Sequence, residues 1–356
     1  MMKKSAFVFL LTLFLLPLSA QSFMEGEIIY LEGDVNVSRN GEWLPYYEVD
    51  MGLSVEENDI IKTGPDGYLE IELTYPGQGG LLKVQADTVF YFEGRETGGV
   101  RTAKVNLLNG SLGLKVAKLA SNEKMNVETQ TAVMGIRGTE FIVDRSPTGE
   151  VLVSCNEGRV SCAASRTETY SIPGMVCLQN ENQSFKEEAV PVEELEEYRS
   201  DWWDLRIEAL VKLGPLSVDY YLGRYENQLP QFNQAWSELA RQEELFTKYE
   251  ALIRSGETPD RSKATRDKIS LTSPIIKMRS ALPLMEEIYY TLYTLEQYQS
   301  RGFFEGNEQA MRDFDRNEKL LENQIIKAHY YLDLYGQISS YAAGGTNSTL
   351  NSMLNN

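Results

Sequence analysis

Few residues in this sequence could carry out catalysis. The chain of 356 residues contains one histidine, His329, and three cysteines. A Ser-His-Asp triad could use only His329, and no nucleophile motif accompanies it. One imidazole also cannot supply a Cys₂His₂ zinc site or a centre built from several histidines. We therefore expect a packed or surface histidine, and a protein that is not an enzyme and uses no metal or cofactor.

Carboxylates are the most abundant groups that could do chemistry. The chain has 52 Asp and Glu against 34 Lys and Arg, and its formal net charge is −18. Calcium takes several oxygen ligands, and the aspartates that could suggest it are Asp34, Asp50, Asp59, Asp66 and Asp144. No Asp-x-Asp-x-Asp-Gly loop is present, so these residues are predicted to form turns. The negative charge argues against a nucleic-acid partner, which would require a basic face.

The cysteines could form a disulfide. Cys155 and Cys162 flank a predicted turn at Glu157-Gly158. If those two residues form the turn of a hairpin, residue 153 lies opposite 162, and both cysteines share a face as diagonal neighbours. Cys177 is the competing partner, and three buried thiols are the alternative to any bridge.

Three segments of the N-terminal half carry residues that shape turns. Pro65-Asp66-Gly67 predicts a tight turn, because Pro fixes φ and Gly tolerates positive φ. Asn109-Gly110 predicts a two-residue hairpin, and the glycines at 135 and 138 predict a kink or a close backbone approach. These glycines lack the Lys-Ser/Thr pair and the following helix of a phosphate site. The predicted structural residues are Asp59, Thr63, Gly64, Asp66, Gly67, Asn109, Gly110, Gly135, Gly138, Thr139, Phe141, Glu157 and Gly158.

The elements that carry these motifs are short β-strands. From about Glu25 to Pro191, runs rich in Val, Ile, Leu and aromatic residues alternate with Gly, Asn and Asp turns, which is typical of strands. Between Tyr68 and Leu73 polar and apolar residues alternate strictly, as expected for a half-buried antiparallel strand. Many short strands with turn signals indicate a closed sandwich or barrel. Of the two, we predict an all-β sandwich, jelly-roll-like, over residues 24–190.

After Pro191 the period becomes helical, which predicts a helical bundle or long helical hairpins over residues 191–342. Gly214-Pro215 is expected to end the first helix. The next helical stretch is predicted from about residue 216 to 253, followed by a polar connector over 256–266. A further helix is predicted where apolar residues recur at helical spacing from Ile275 to Leu295, and a last helix over about 307–341. Trp202, Trp203 and the tyrosines between 289 and 298 are assigned to core packing. Residues 343–356 form a Gly-, Asn- and Ser-rich tail that is predicted to be disordered.

Residues 1–20 are predicted to be a secretory signal peptide. Lys3 and Lys4 precede an apolar run from Ala6 to Leu16 that is too short to span a bilayer. Cleavage is expected after Ala20, with cleavage two residues later as the second choice. Because two lysines would be lost, the net charge of −18 would become −20 in the mature chain. No later segment is apolar enough to predict a membrane span.

In their order along the chain, the turn motifs resemble the periplasmic domain of FecR-type proteins. The segments that carry the resemblance are Asp59 to Leu69, Leu107 to Leu112, and Thr129 to Phe141 with the turn at Glu157-Gly158, and the opening Gly33-Asp34-Val35 with Trp43 fits the start of that domain. The resemblance covers about residues 25–191, just under half of the chain. It does not include the helical half.

The resemblance implies a sensing or docking role. Proteins similar to FecR pass a signal from an outer-membrane transporter to a cytoplasmic sigma factor, using a cytoplasmic region, one transmembrane helix and a periplasmic domain. This chain has a predicted signal peptide where the first two parts would lie. Only the periplasmic part is therefore implied here, as a module fused to other exported parts.

We therefore predict a non-enzymatic bacterial protein that is exported to the periplasm. Association with the outer membrane and secretion are the alternative locations. Its FecR-like domain would sense or bind envelope proteins, and its helical half would bind a partner or form a homo-oligomer. The alternative is a structural envelope component that binds cell-wall glycan or self-assembles. An acid hydrolase is a third class, because two catalytic carboxylates are paired in space and not by spacing along the chain. The ligand, the partner and any link to iron are left open.

Overall fold

The computed structural model of the chain describes residues 25–75, 79–165, 167–179, 183–306 and 308–344. The predicted signal peptide lies outside the described residues, as does the tail from residue 345. A large β region comes first and four helices follow it. The predicted order of a β half and a helical half is thus confirmed.

Seventeen strands make up the β region. Their bounds are β1 Glu25–Glu32, β2 Val35–Arg39, β3 Glu42–Trp43, β4 Ser54–Val55, β5 Ile60–Thr63, β6 Tyr68–Tyr75, β7 Gly80–Val84, β8 Val89–Thr97, β9 Val100–Val116, β10 Glu123–Glu128, β11 Val133–Ile136, β12 Glu140–Arg145, β13 Val151–Glu157, β14 Val160–Ala164, β15 Thr167–Ser171, β16 Met175–Gln179 and β17 Phe185–Ala189. Most neighbours pair antiparallel, whereas β9 and β10 pair in parallel.

The long strand β9 joins two layers of strands. Its first part, up to Asn109, pairs with β8 and β10, and β5 and β2 continue that layer beyond β8. Its second part, from Gly110, pairs with β7 and β12 in the other layer. The buried side chains between the layers form one apolar core, which includes Phe90, Phe92 and Phe141.

The hairpin predicted at Asn109-Gly110 was wrong. Both residues lie inside β9, where the register against β8 shifts. Gly110 has φ +92°, and a Cβ there would lie 2.5 Å from the Cα of Thr88. The glycine therefore serves a bend that carries the strand from one layer to the other. A positive φ and a missing side chain suit a bend as well as a hairpin turn, so the dipeptide alone could not distinguish them.

The hairpin predicted at Glu157-Gly158 was also wrong. β13 pairs with β12 and β16, whereas β14 pairs with β11 and β15. Gly158, with φ +88°, therefore connects two layers instead of two paired strands. By contrast, a turn is present at Pro65-Asp66, where the Gly67 amide donates to the Gly64 carbonyl at 3.0 Å.

Four helices follow the β region: α1 Leu195–Ala240, α2 Glu243–Ser255, α3 Arg261–Ser300 and α4 Glu308–Ala343. The predicted interruption at Gly214-Pro215 was wrong, because α1 continues through both residues. A Cβ on Gly214 would lie 2.5 Å from the ring of Phe304, so this glycine allows close packing inside the helix. The loss of one backbone donor at Pro215 bends a helix without ending it when packing holds both sides.

The helices pack against one another as a bundle. α1 and α3 run antiparallel, as the ion pairs Lys277–Glu238 and Arg224–Glu287 show. The connector predicted over 256–266 is shorter, because Asp260 caps α3 by accepting a hydrogen bond from the Lys263 amide at 2.9 Å. Within the described residues, none of the helices has an apolar stretch long enough to cross a bilayer.

Candidate functional site

The junction between the β region and the helices is the candidate functional site. In β5 and β8, alternate side chains point to opposite faces of the sheet. Ile61 and Phe90 enter the sandwich core, whereas Ile60, Val89 and Tyr91 join the apolar core of the helices. The two halves therefore share buried apolar surface at these strands.

A buried polar group lies within this shared core. The Nε2 atom of His329 on α4 lies 2.7 Å from a carboxylate oxygen of Glu286 on α3. The ring of His329 packs on Tyr91 of β8, with 4.7 Å between the ring centroids. Burial acts to lower the pKa of His329, but the charge and hydrogen bond of Glu286 outweigh it, and the net pKa is raised. This triad connects α3, α4 and β8.

A second polar contact holds α4 against β5. The ammonium of Lys62 lies 2.8 Å from the Glu322 carboxylate. It also lies over the rings of Trp43 and Tyr293, at 4.9 and 4.5 Å from their centroids. Trp43 donates from its indole nitrogen to Glu322 at 3.3 Å. One lysine of the β region thus contacts two helices.

A third contact holds the start of α1. Asp144 of β12 is fully buried and accepts two hydrogen bonds of 2.7 Å from the Arg199 guanidinium. Trp203 donates to the same carboxylate at 3.0 Å. Beside this contact, Trp202 packs with Leu152 in a small apolar cluster. Trp202 and Trp203, which were predicted to pack in a core, therefore pack between the helical half and the β region.

A polar cleft of about 410 Å³ opens beside the triad of Tyr91, Glu286 and His329. It is also lined by Lys104 and Asp333. Burial raises the pKa of Asp333 to about 6, opposed in part by its hydrogen bond from Gln337. The cleft can accommodate a small polar molecule. Among the described residues, no three His, Cys, Asp or Glu side chains are grouped so that they could hold a metal ion.

The predicted motif residues do not line this cleft as a group. Asp59 accepts from Arg39 at 2.5 Å and from the Glu56 amide at 3.0 Å, so it holds a loop. Burial raises the pKa of Asp59 to about 6 against the opposing effect of Arg39. Thr63 donates to the Gln85 carbonyl at 2.7 Å.

The remaining motif residues shape the backbone. Gly67 lies where a Cβ would be 2.4 Å from the Asp34 carbonyl oxygen. Gly138, Thr139 and Gly158 meet one another, since a Cβ on Gly158 would lie 2.7 Å from the Gly138 carbonyl. Asn109 donates from its amide to the Asp87 carbonyl at 2.8 Å. The side chain of Phe141 is in the sandwich core, and Gly135 lies within β11.

The three cysteines are buried free thiols. Cys155 and Cys162 do not share a hairpin, so the predicted diagonal arrangement was wrong. Cys162 instead hydrogen-bonds with Cys177, and this raises the pKa of the Cys162 thiol. Burial raises the pKa of Cys155 to about 11. Cys155 and Cys162 are therefore poor nucleophiles.

Sequence reasoning missed the partners of the buried charges. Glu286 and His329 are 43 positions apart, and Asp144 and Arg199 are 55 apart. One signal was available, because Glu286 follows Met285 and precedes Ile288 and Tyr289 on a strongly apolar helical segment. An acidic residue in such surroundings requires a buried partner.

Comparison with known proteins identifies the β region. Residues 59–161 match the family described as "FecR protein", which lies inside the predicted span of 25–191. No curated protein matches the chain. Two crystal structures of a "putative anti-sigma factor" from Parabacteroides distasonis share 17% identity with it at a TM-score of 0.33. The alignments cover 39% of this chain and 64% and 63% of those structures, so it spans less than two thirds of their length. The chain thus carries a FecR domain in its β region.

Proposed function

We propose that this protein is an exported, non-enzymatic sensing and protein-interaction module of the bacterial periplasm. In this proposal the FecR domain and the helices act as one coupled unit, and the partners are proteins of the cell envelope. One observation carries the proposal: strands β5 and β8 of the FecR domain share a buried core with the helices.

The coupling follows from where the polar contacts lie. Lys62, Tyr91 and Asp144 all fall within residues 59–161, the range that matches the FecR family. Lys62 contacts α3 and α4, Tyr91 contacts the Glu286–His329 pair, and Asp144 holds α1. Because buried contacts of this kind are costly to break, a partner that moves the helices also strains the FecR strands.

The chemistry of the junction supports a role without catalysis. The Nε2 atom of His329 is engaged by Glu286, and the described residues that line the cleft beside it include no Ser, Thr or Cys that the imidazole could activate. The raised pKa values of Cys155 and Cys162 make these two thiols poor nucleophiles. A cleft lined by residues that already pair with one another fits binding better than bond cleavage.

Export is tested by determining the first residue of the mature protein. Mass spectrometry of the protein from the envelope fraction of cells that produce it should give a chain starting at Gln21, or at Phe23 for the second predicted cleavage. A chain that retains Met1 and fractionates with the cytoplasm would contradict export.

Partner binding is tested by affinity capture with the full chain. Chemical cross-linking in envelope preparations followed by capture should recover a discrete protein that is competed by excess unlabelled chain. Sedimentation with purified peptidoglycan tests the alternative of a structural envelope component. Saturable binding to peptidoglycan without any protein partner would favour a structural envelope component over a sensing module.

A further inference from the structure

Helix α1 has two apolar faces, and the residues that the structure describes cover only one of them. The covered face packs into the helical core through Leu210, Val218, Tyr221 and Tyr225. The other carries four large apolar side chains that remain 52–66% exposed, which are Leu205, Leu213, Leu216 and Tyr220. We call these four residues the α1 stripe.

The α1 stripe is continuous along the helix. At about 100° per residue, its members fall within about 80° of one another, and Ala209 fills the gap between them. The stripe spans about 22 Å at 1.5 Å per residue. Single exposed apolar residues are normal on a protein surface, but a contiguous row of this length marks an interaction site.

Most of the charged side chains along one edge of the α1 stripe are acidic. Asp201, Glu208 and Asp219 lie within about 20° of one another on the helix, and all three are exposed. Lys212 is the one basic residue on this edge of α1. Asp204 lies further around the helix from the α1 stripe. None of the acidic side chains on this edge makes an ion pair with another residue in the part of the chain that the structure describes.

The opposite edge of the stripe carries arginines that are already engaged. Arg206 lies 3.8 Å from Glu150, and Arg224 binds Glu287 through two hydrogen bonds of 3.0 and 2.6 Å. A partner therefore meets a net negative charge on one edge and arginines that are already paired on the other.

A second copy of the chain fits this surface poorly. A two-fold axis perpendicular to the helices would place the acidic edge of one copy against the acidic edge of the other, which costs free energy through like-charge contact. A two-fold axis parallel to the helices would place it against arginines that would have to leave Glu150 and Glu287.

We propose that the α1 stripe binds an amphipathic helix of a partner protein, with Lys or Arg beside its apolar residues. Such a helix buries its apolar face on the stripe and neutralises Asp201, Glu208 and Asp219. This inference rests on the proposed function, because it assigns the surface and the partner chemistry of the helical half.

The test uses synthetic peptides and the full-length mature protein. The probe is a fluorescently labelled 18-residue peptide of Leu and Lys with Leu at helical spacing, compared with a Glu-for-Lys version and a scrambled peptide of the same composition. We expect saturable binding of the Leu/Lys helix alone, weakening as salt rises. The double variant Leu213→Ser/Leu216→Ser should weaken it at least about tenfold.

A matched control separates the stripe from general attraction to an acidic protein. Ile269 and Ile276 are equally exposed apolar residues on α3, and Ile269→Ser/Ile276→Ser should leave binding unchanged. Circular dichroism should show the same helicity for both variants, because all four side chains face solvent. Equal peptide affinity for wild type and stripe variant would overturn the proposal.

Other occupants give distinct results. Concentration-dependent dimerisation that the stripe variant abolishes would assign the surface to a second copy. Binding to neutral lipid vesicles that the same variant abolishes would assign it to a membrane. If the stripe variant still captured the same envelope partner as wild type, this inference would fail while the proposed function would stand.

Discussion

At the scale of single residues, the junction depends on charges that are buried and paired. Asp144 has no exposed surface, and its carboxylate is satisfied by Arg199 and Trp203. Removal of one partner from such a pair leaves a charge without compensation in a low dielectric. Asp144 therefore makes α1 docking and the stability of β12 interdependent.

The first prediction concerns this pair. Arg199→Ala should lower the free energy of unfolding by about 3–5 kcal/mol, measured by urea denaturation. The control is Lys115→Ala, which removes an exposed partner of Glu140 and should leave the free energy of unfolding almost unchanged, because water screens an exposed ion pair. Equal small losses for the two variants would show that Asp144 is not held as described.

The second prediction concerns pH. Because the chain has one histidine, the imidazole signal of His329 is unambiguous in an NMR titration. Its pKa should lie above 6.5, and Glu286→Gln should move it below 6.5, since burial alone lowers it. A pKa at or below 6.5 in the wild type would contradict the ion pair.

The same shift has a consequence for stability. A folded-state pKa above the unfolded value means that the His329 contribution is fully present below about pH 6.5 and is lost as the pH rises through the folded pKa. The urea midpoint of the wild type should therefore fall more steeply over this range than that of His329→Gln.

At the residue scale, local sequence narrowed the alternatives without choosing among them. His329 was expected to be either packed or at the surface, and it is buried. Its partner depends on how α3 crosses α4, which spacing along one helix cannot reveal. For the same reason the sequence left a disulfide and three buried thiols as alternatives for the cysteines and could not identify their neighbours.

At the scale of elements, one glycine determines how β9 connects the two layers. Gly110 combines φ +92° with a close approach to Thr88. Gly52 has a similar φ of +89°, but a Cβ there would have no neighbour within 4 Å. A substitution at Gly52 therefore tests the effect of the positive φ alone, whereas a substitution at Gly110 adds steric overlap with Thr88.

The third prediction uses this matched pair. Gly110→Ala should destabilise the protein by about 1–3 kcal/mol more than Gly52→Ala, because the added methyl group overlaps Thr88. Thermal or urea unfolding of both variants measures the difference. If the two variants are equally stable, the bend is not sterically constrained.

Element types were easier to predict than their connections. Alternating patterns predicted strands and helical spacing predicted helices, and both are present. Glycine-based turn signals failed at 109–110 and 157–158, since a glycine with positive φ suits a bulge or a crossover as well as a hairpin. Pro215 failed as a helix terminator because Leu210 and Val218, on either side of it, are both buried in the helical core.

At the scale of the whole molecule, the central claim is that the FecR domain and the helices form one coupled unit. The shared core around Ile60, Val89 and Tyr91 supports it. The sequence could not predict this packing, because apolar residues on a strand face do not reveal whether a sheet or a helix covers them. Coupled halves should open together.

Native-state hydrogen exchange at rising urea concentration tests this claim most directly, because it measures the free energy of opening for each element. We predict that amides of β5, β8, α3 and α4 converge on one opening free energy, and that Tyr91→Ala splits them into two groups. Helices that open at much lower free energy than β5 and β8 in the wild type would contradict the coupling.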